Sequence, residues 1–318
     1  MDNCLLIGNG LNRTLEHSIP WSDLLKDIAD ELGTSYCSYN ILHLEFERIV
    51  NEYLKKCKEP DVSVYSDIKK KVANKLSFTL LPDTAIHKII PSIPIDSIIT
   101  TNYDYLIEQA FEKDFLIKEK TNKKYLMSPV VKIDNIDFFH AHGICAYPQS
   151  ICLGYEHYAG IVYNLRENLN KKDNNKNEEM AIKKRLLGES SLQNKWGEKF
   201  YTSNIDIIGL SLDSCEIDLW WLLTHRACWY YSNYCGLKKS INNTITFYDV
   251  IDDIKKNSVD EETRRYSKEL IKRQKYNLLK GYNVAVKIYS LSEYGTYCNA
   301  YSKMLDDVKK KNTTIKTK

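Results

Sequence analysis

The sequence contains no Cys-x-x-Cys pair; its 9 cysteines stand at 4, 37, 57, 145, 152, 215, 228, 235 and 298. Zinc ribbons need close thiolate pairs, so no such module is expected. No run approaches the ~20 apolar residues of a membrane-spanning helix. Residues 4 to 7 (Cys-Leu-Leu-Ile) are apolar, but they enter a glycine turn at once and are too short for the core of a secretory signal. The net charge is only +3, which gives no electrostatic case for nucleic acid. Internal repeats are absent. An odd number of thiols without an export signal fits a reducing cytoplasm.

What is there is ordinary globular composition, 43% hydrophobic and 27% charged over 318 residues, enough for one large domain with a real core. Strand-length β-branched runs occur at 4–8, 97–101, 136–141, 204–209, 245–250 and 284–290. Helical patterns lie between them: Trp21, Leu24, Leu25 and Ile28 share a face, Tyr105, Leu106 and Ala110 follow the second run, and 216–234 and 262–280 continue the alternation. Strands alternating with helices predict an α/β fold, a parallel sheet covered on both faces. Residues 16–93 read as a helical insertion within a domain spanning 1–300. The charged segment 165–195, with its polar piece Asn170–Glu179, reads as a loop or lid. The lysine-rich 301–318 reads as a solvated basic tail.

Four polar motifs close predicted strands. Gly8-Asn9-Gly10-Leu11-Asn12-Arg13 follows the first, and glycines there let backbone N–H groups approach a phosphate. Thr101-Asn102-Tyr103-Asp104 follows the second, where open α/β sheets hold their ligands. Helix capping by Thr101 or Asn102, with Asp104 favoured by the helix dipole, accounts for the same residues. His140-Ala141-His142-Gly143 ends the third: His140 reads as structural and His142 as an acid–base candidate, because a two-histidine metal site lacks a third ligand at a recognisable spacing. Gly209-Leu210-Ser211-Leu212-Asp213 ends the fourth. Glu216 and Asp218 beyond it read as first-turn acids, and Trp220 and Trp221 as core.

Taken in order, these motifs resemble those of the sirtuin superfamily. Gly8-Asn9-Gly10-Leu11-Asn12 resembles its Gly-Ala-Gly-x-Ser phosphate turn, and Thr101-Asn102-Tyr103-Asp104 its Gln-Asn-Ile-Asp segment. His142-Gly143 resembles the active-site His-Gly, and Gly209-Leu210-Ser211-Leu212 the Gly-Thr-Ser-Leu motif. The opening Leu-Ile-Gly-Asn-Gly-Leu-Asn-Arg, the Ser18-Ile19-Pro20-Trp21 entry, Leu153-Gly154-Tyr155-Glu156-His157-Tyr158 and the acidic-Trp-Trp helix at 216–223 are similar to the sirtuin-like proteins of bacterial anti-phage systems. Deacylating sirtuins carry four cysteines between the His-Gly and Gly-Thr-Ser motifs. Only Cys145 and Cys152 stand there, which counts against deacylation.

The resemblance implies a Rossmann-like sheet and cleavage of NAD+ at the nicotinamide–ribose bond, as a suicide response to infection. It assigns Asn102 to the attacking water and His142 to the ribose hydroxyls or the base. Asp104 takes the nicotinamide carboxamide, beside Thr101. Gly8, Asn9, Gly10 and Asn12 fall to the phosphates, and Gly209 and Ser211 to the adenosine side. NAD+ is then substrate, and no metal is expected. Such an enzyme needs restraint by a homo-oligomer, a separate sensor subunit or a lid. The competing readings are a silent NAD- or ADP-ribose-binding regulator, a deacylase or ADP-ribosyltransferase, and an assembly scaffold.

Overall fold

The computed structural model describes all residues except 17, 38–41, 60–62, 118–123, 171–180, 255–257 and 317–318. Seven strands form one sheet: β1 (Asp2–Ile7), β2 (Ser97–Thr100), β3 (Val131–Ile133), β4 (Ile136–His140), β5 (Ser203–Ile208), β6 (Ile245–Ile251) and β7 (Val284–Ser290). Their order across the sheet is β3-β4-β2-β1-β5-β6-β7, and only the β3–β4 pair is antiparallel. The expected α/β architecture is therefore present. Each strand-length run of the sequence is a strand, and β3 is an edge strand that the apolar pattern did not signal. All six residues of β5 are buried, as a strand covered on both faces requires.

Helices supply that cover. On one face lie α1 (Trp21–Glu31), α2 (Leu42–Lys56), α3 (Val64–Ser77) and a 3-10 helix, Ile86–Ser92, all between β1 and β2. Leu24, Leu25 and Ile28 of α1 pack with Phe46, Ile49 and Val50 of α2 in a core that includes Leu5, Ile7 and Ile98 of the sheet. The other face carries α5 (Tyr155–Asn170), α6 (Ala181–Leu186), α7 (Trp196–Thr202) and α8 (Ile217–Ser232). There Leu165, Trp196, Leu219 and Leu222 pack with Cys4, Leu6, Ile99 and Ile207. A short α4 (Leu106–Gln109) follows β2, and α9 (Val259–Gly281) joins β6 to β7. Ser258 caps α9 by accepting from the Glu261 amide, with three acids in its first turn.

The C-terminal segment departs from the expectation of a solvated tail. After α10 (Leu291–Tyr294) the chain forms α11 (Tyr297–Lys316). Ala300, Met304, Leu305 and Val308, one helical stripe, are buried in the first core. Lys311 reaches inward and donates to buried Asp206 Oδ1 at 2.6 Å, which also accepts from Tyr248. The lysine run occupies only part of the helix circumference, and apolar residues between the charges hold the helix down. The expected lid falls partly outside the described residues; of it, 165–170 end α5 and 181–186 form α6. Trp220 and Trp221 lie at the margin of the second core, half-buried rather than interior.

Candidate functional site

The chain leaves β1 toward one face of the sheet and β5 toward the other, so a crevice opens between the carboxyl ends of these neighbouring strands. Open α/β sheets bind ligands at this switch of direction. The two glycine motifs line it. Gly8 N–H donates to Ile208 O at 3.0 Å and Gly10 N–H to Gly209 O at 2.7 Å. Gly209 has φ +66°, in the left-handed region. A Cβ on Gly8 would stand 2.6 Å from Gly209 O and 2.8 Å from Leu210 Cα, both backbone atoms that cannot swing away. The glycines thus act by having no side chain, and their own N–H groups are taken up between the strands. Gly8→Ala is expected to push the β1 and β5 ends apart, costing about 1–3 kcal/mol in urea unfolding. An unchanged value would show that the two turns can separate freely.

Asn102 lies two residues beyond Thr100, and His142 two beyond His140. Thr100 and His140 are cross-strand partners in the parallel β2–β4 pair, so both motifs emerge side by side. Thr100 Oγ1 donates to Ile7 O and accepts from Asn102 N, tying the second turn to the first strand. His140 is fully buried; Nδ1 donates to Asn102 O at 2.9 Å and Nε2 to Glu108 Oε1 at 2.7 Å. Burial works against its charge, but Glu108 and these bonds prevail and raise its pKa. His140 is structural, as its sequence context suggests: it clamps the backbone of Asn102.

The side chain of Asn102 is different. It is 5% exposed, and among the described residues neither Oδ1 nor Nδ2 has a hydrogen-bond partner. Buried amides are nearly always paired, and leaving one unpaired costs about 1–3 kcal/mol.

Asp104 is buried, with Oδ1 accepting from Leu106 N and Oδ2 from Asn12 Nδ2 at 2.9 Å. Burial raises its pKa to about 6. Asn12 Oδ1 in turn accepts from His87 Nε2 at 2.8 Å, so the carboxamide of Asn12 is held within the protein. His87, on the 3-10 helix, stays neutral, its pKa lowered to about 4 by burial. Thr101 N donates to Ile7 O. Asn9 Nδ2 donates to Ile19 O.

His142 is also buried. Nε2 meets Asp218 Oδ2 at 2.9 Å, and the ring packs edge-on against Tyr158 at 5.0 Å between centroids. Burial disfavours the charged ring, yet the Asp218 carboxylate outweighs it and the pKa rises. Glu216, just before α8, accepts from Asp213 N. Burial pushes its carboxyl up to about 8. Ser211 donates to Asp213 at 2.8 Å on the exposed side. Sequence spacing gives no hint of Asp218 as the partner of His142, because they lie 76 positions apart. Tyr301 of α11 is another unforeseen neighbour: its hydroxyl would be 2.6 Å from a Cβ on Gly10.

Residues 96–213 match the model of the SIR2-like domain. The matched span takes in the turns after β2, β4 and β5, while the first glycine turn lies before it. Over 159 residues the chain is 29% identical to the NAD(+) hydrolase ThsA of Bacillus cereus (strain MSX-D12), covering 49% of this chain and 31% of that protein. The chain therefore matches less than a third of that relative's length. Among the described residues, no group of three His, Cys, Asp or Glu side chains could hold a metal ion. No described helix is long and apolar enough to cross a membrane.

Proposed function

We propose that this chain is an NAD+ hydrolase that releases nicotinamide and ADP-ribose, and that it serves as an NAD-depleting effector of abortive anti-phage defence in the cytoplasm. The observation that carries the reading is the carboxamide of Asn102, buried with no partner among the described residues just beyond β2, whose neighbouring strand β4 leads into the His142–Asp218 pair. A protein keeps such a group unpaired where a substrate is to satisfy it. The similarity to a named NAD(+) hydrolase supports the choice of substrate.

In this reading the pyrophosphate enters over the glycine turn, where the missing side chains allow close approach, and Gly209 and Ser211 border the adenosine side. Asp104 accepts from the nicotinamide carboxamide next to Thr101. The leaving group departs as neutral nicotinamide, so the residues need not supply a strong acid. Asn102 orders the water, and His142 accepts its proton as oxygen bonds to the ribose carbon. One NAD+ and one water give nicotinamide, ADP-ribose and a proton. Restraint of this activity falls to self-assembly or a separate sensor subunit.

The test is NAD+ consumption by purified protein with products separated, wild type against His142→Ala. Nicotinamide and ADP-ribose from the wild type alone are the expected result. NAD+ bound and recovered intact by both proteins would replace the hydrolase with a nucleotide-binding regulator.

A further inference from the structure

Asp218 sits in the first turn of α8, where an acid is commonly explained by the helix dipole. Its surroundings contradict so bland a role. It is fully buried, and Oδ2 lies 2.9 Å from His142 Nε2, while Oδ1 has no partner among the described residues. A carboxylate only accepts, so Nε2 carries the proton and Nδ1 is left with a lone pair. Nδ1 makes no hydrogen bond to any described residue. The groups facing the ring are Asp218 and Glu216 from the α8 entry and Tyr158 from α5.

We propose that Asp218 is a positioning residue that fixes His142 in the Nε2-protonated form and so presents Nδ1 as the proton acceptor of the site. This rests on the hydrolase reading given above. The proton of the attacking water passes to Nδ1 as its oxygen bonds to the ribose carbon. The carbon–nitrogen bond breaks, and its electron pair leaves with nicotinamide. Asp218 keeps its own charge and stabilises the imidazolium formed. Bringing a partner from across the sheet also prevents ring rotation, which a helix-dipole role would not require.

Asp218→Asn keeps the shape but can offer an N–H to Nε2, inverting the ring's protonation. It is expected to lower kcat about a thousandfold with KM changed less than about threefold. The acid limb of kcat should move to lower pH, since the carboxylate that raises the pKa of His142 is gone. Asp218→Glu, which retains an acceptor, should recover part of the rate. Nitrogen-15 spectra of the ring in substrate-free protein, assigned by comparison with His142→Gln, decide the point independently of turnover. Protonated Nε2 in the wild type and protonated Nδ1 in Asp218→Asn are expected. Protonated Nδ1 in the wild type would overturn the positioning role. So would a folded Asp218→Asn with wild-type kcat and pH profile. If no variant cleaves NAD+, the hydrolase reading fails, while the spectra still decide what Asp218 does.

Discussion

Asn102→Ala is expected to reduce NAD+ cleavage about a thousandfold, as losing a preorganised transition-state contact does, while the melting temperature stays level or rises by about 2 °C. The second half of this result is the more telling. An ordinary buried asparagine contributes hydrogen bonds, and truncating it leaves its partners unsatisfied. Here neither carboxamide atom has a partner to abandon among the described residues. The main-chain links of residue 102, to Thr100 Oγ1 and from His140 Nδ1, survive the change. Stability and activity should therefore move independently. Unchanged turnover would remove Asn102 from the reaction. A melting temperature many degrees lower would show that the amide is bonded internally after all.

The opposite pattern is expected of Glu108→Gln. Glu108 and His140 form a pair in which both side chains are fully buried. Taking away one charge of such a pair costs about 3 kcal/mol or more, because the other is left without compensation. The pKa of His140 is raised in the folded protein, so its contribution to stability is complete below the unfolded value of about 6.5. It is lost as pH rises through the folded value. The gap in urea midpoint between wild type and Glu108→Gln should therefore be widest in mildly acidic buffer and narrow toward alkaline pH. A gap that widens with pH would mean that His140 is neutral in the folded state. Activity should fall too, since the clamp on Asn102 O is built on the same ring.

These two residues show what sequence can convey. Strand-length apolar runs reveal the sheet because central parallel strands are buried on both sides and leave an uninterrupted signal. The polar motifs at their ends are legible for the same reason: hydrophobicity stops where the cleft begins. His140, sharing a strand with Phe138 and Phe139, is readable as an interior group. Partnerships are not readable in this way. His142 finds Asp218 across the sheet, and Asn12 finds His87 and Asp104 through turns that only folding brings together. Asn12 has the look of a ligand contact, but its side chain braces Asp104. The C-terminal helix is hidden for another reason. Its lysines dominate the composition, while the stripe of Ala300, Met304, Leu305 and Val308 appears only when periodicity is followed through them.

The pairing of β1 with β5 has a consequence for the making of the protein. Asn3 and Asn204, hydrogen-bonded neighbours at the start of these strands, are 201 positions apart in the chain. A ribosome adding about 5–20 residues per second needs roughly ten to forty seconds to cover that interval. Until β5 emerges, the crevice has only one wall, and Gly8 and Gly10 have no strand end to meet. Closing so long a loop also makes central-strand docking a late and slow event. The site at the crevice is thereby assembled only at the end of synthesis, with its two glycine turns kept apart by the length of chain still to be translated.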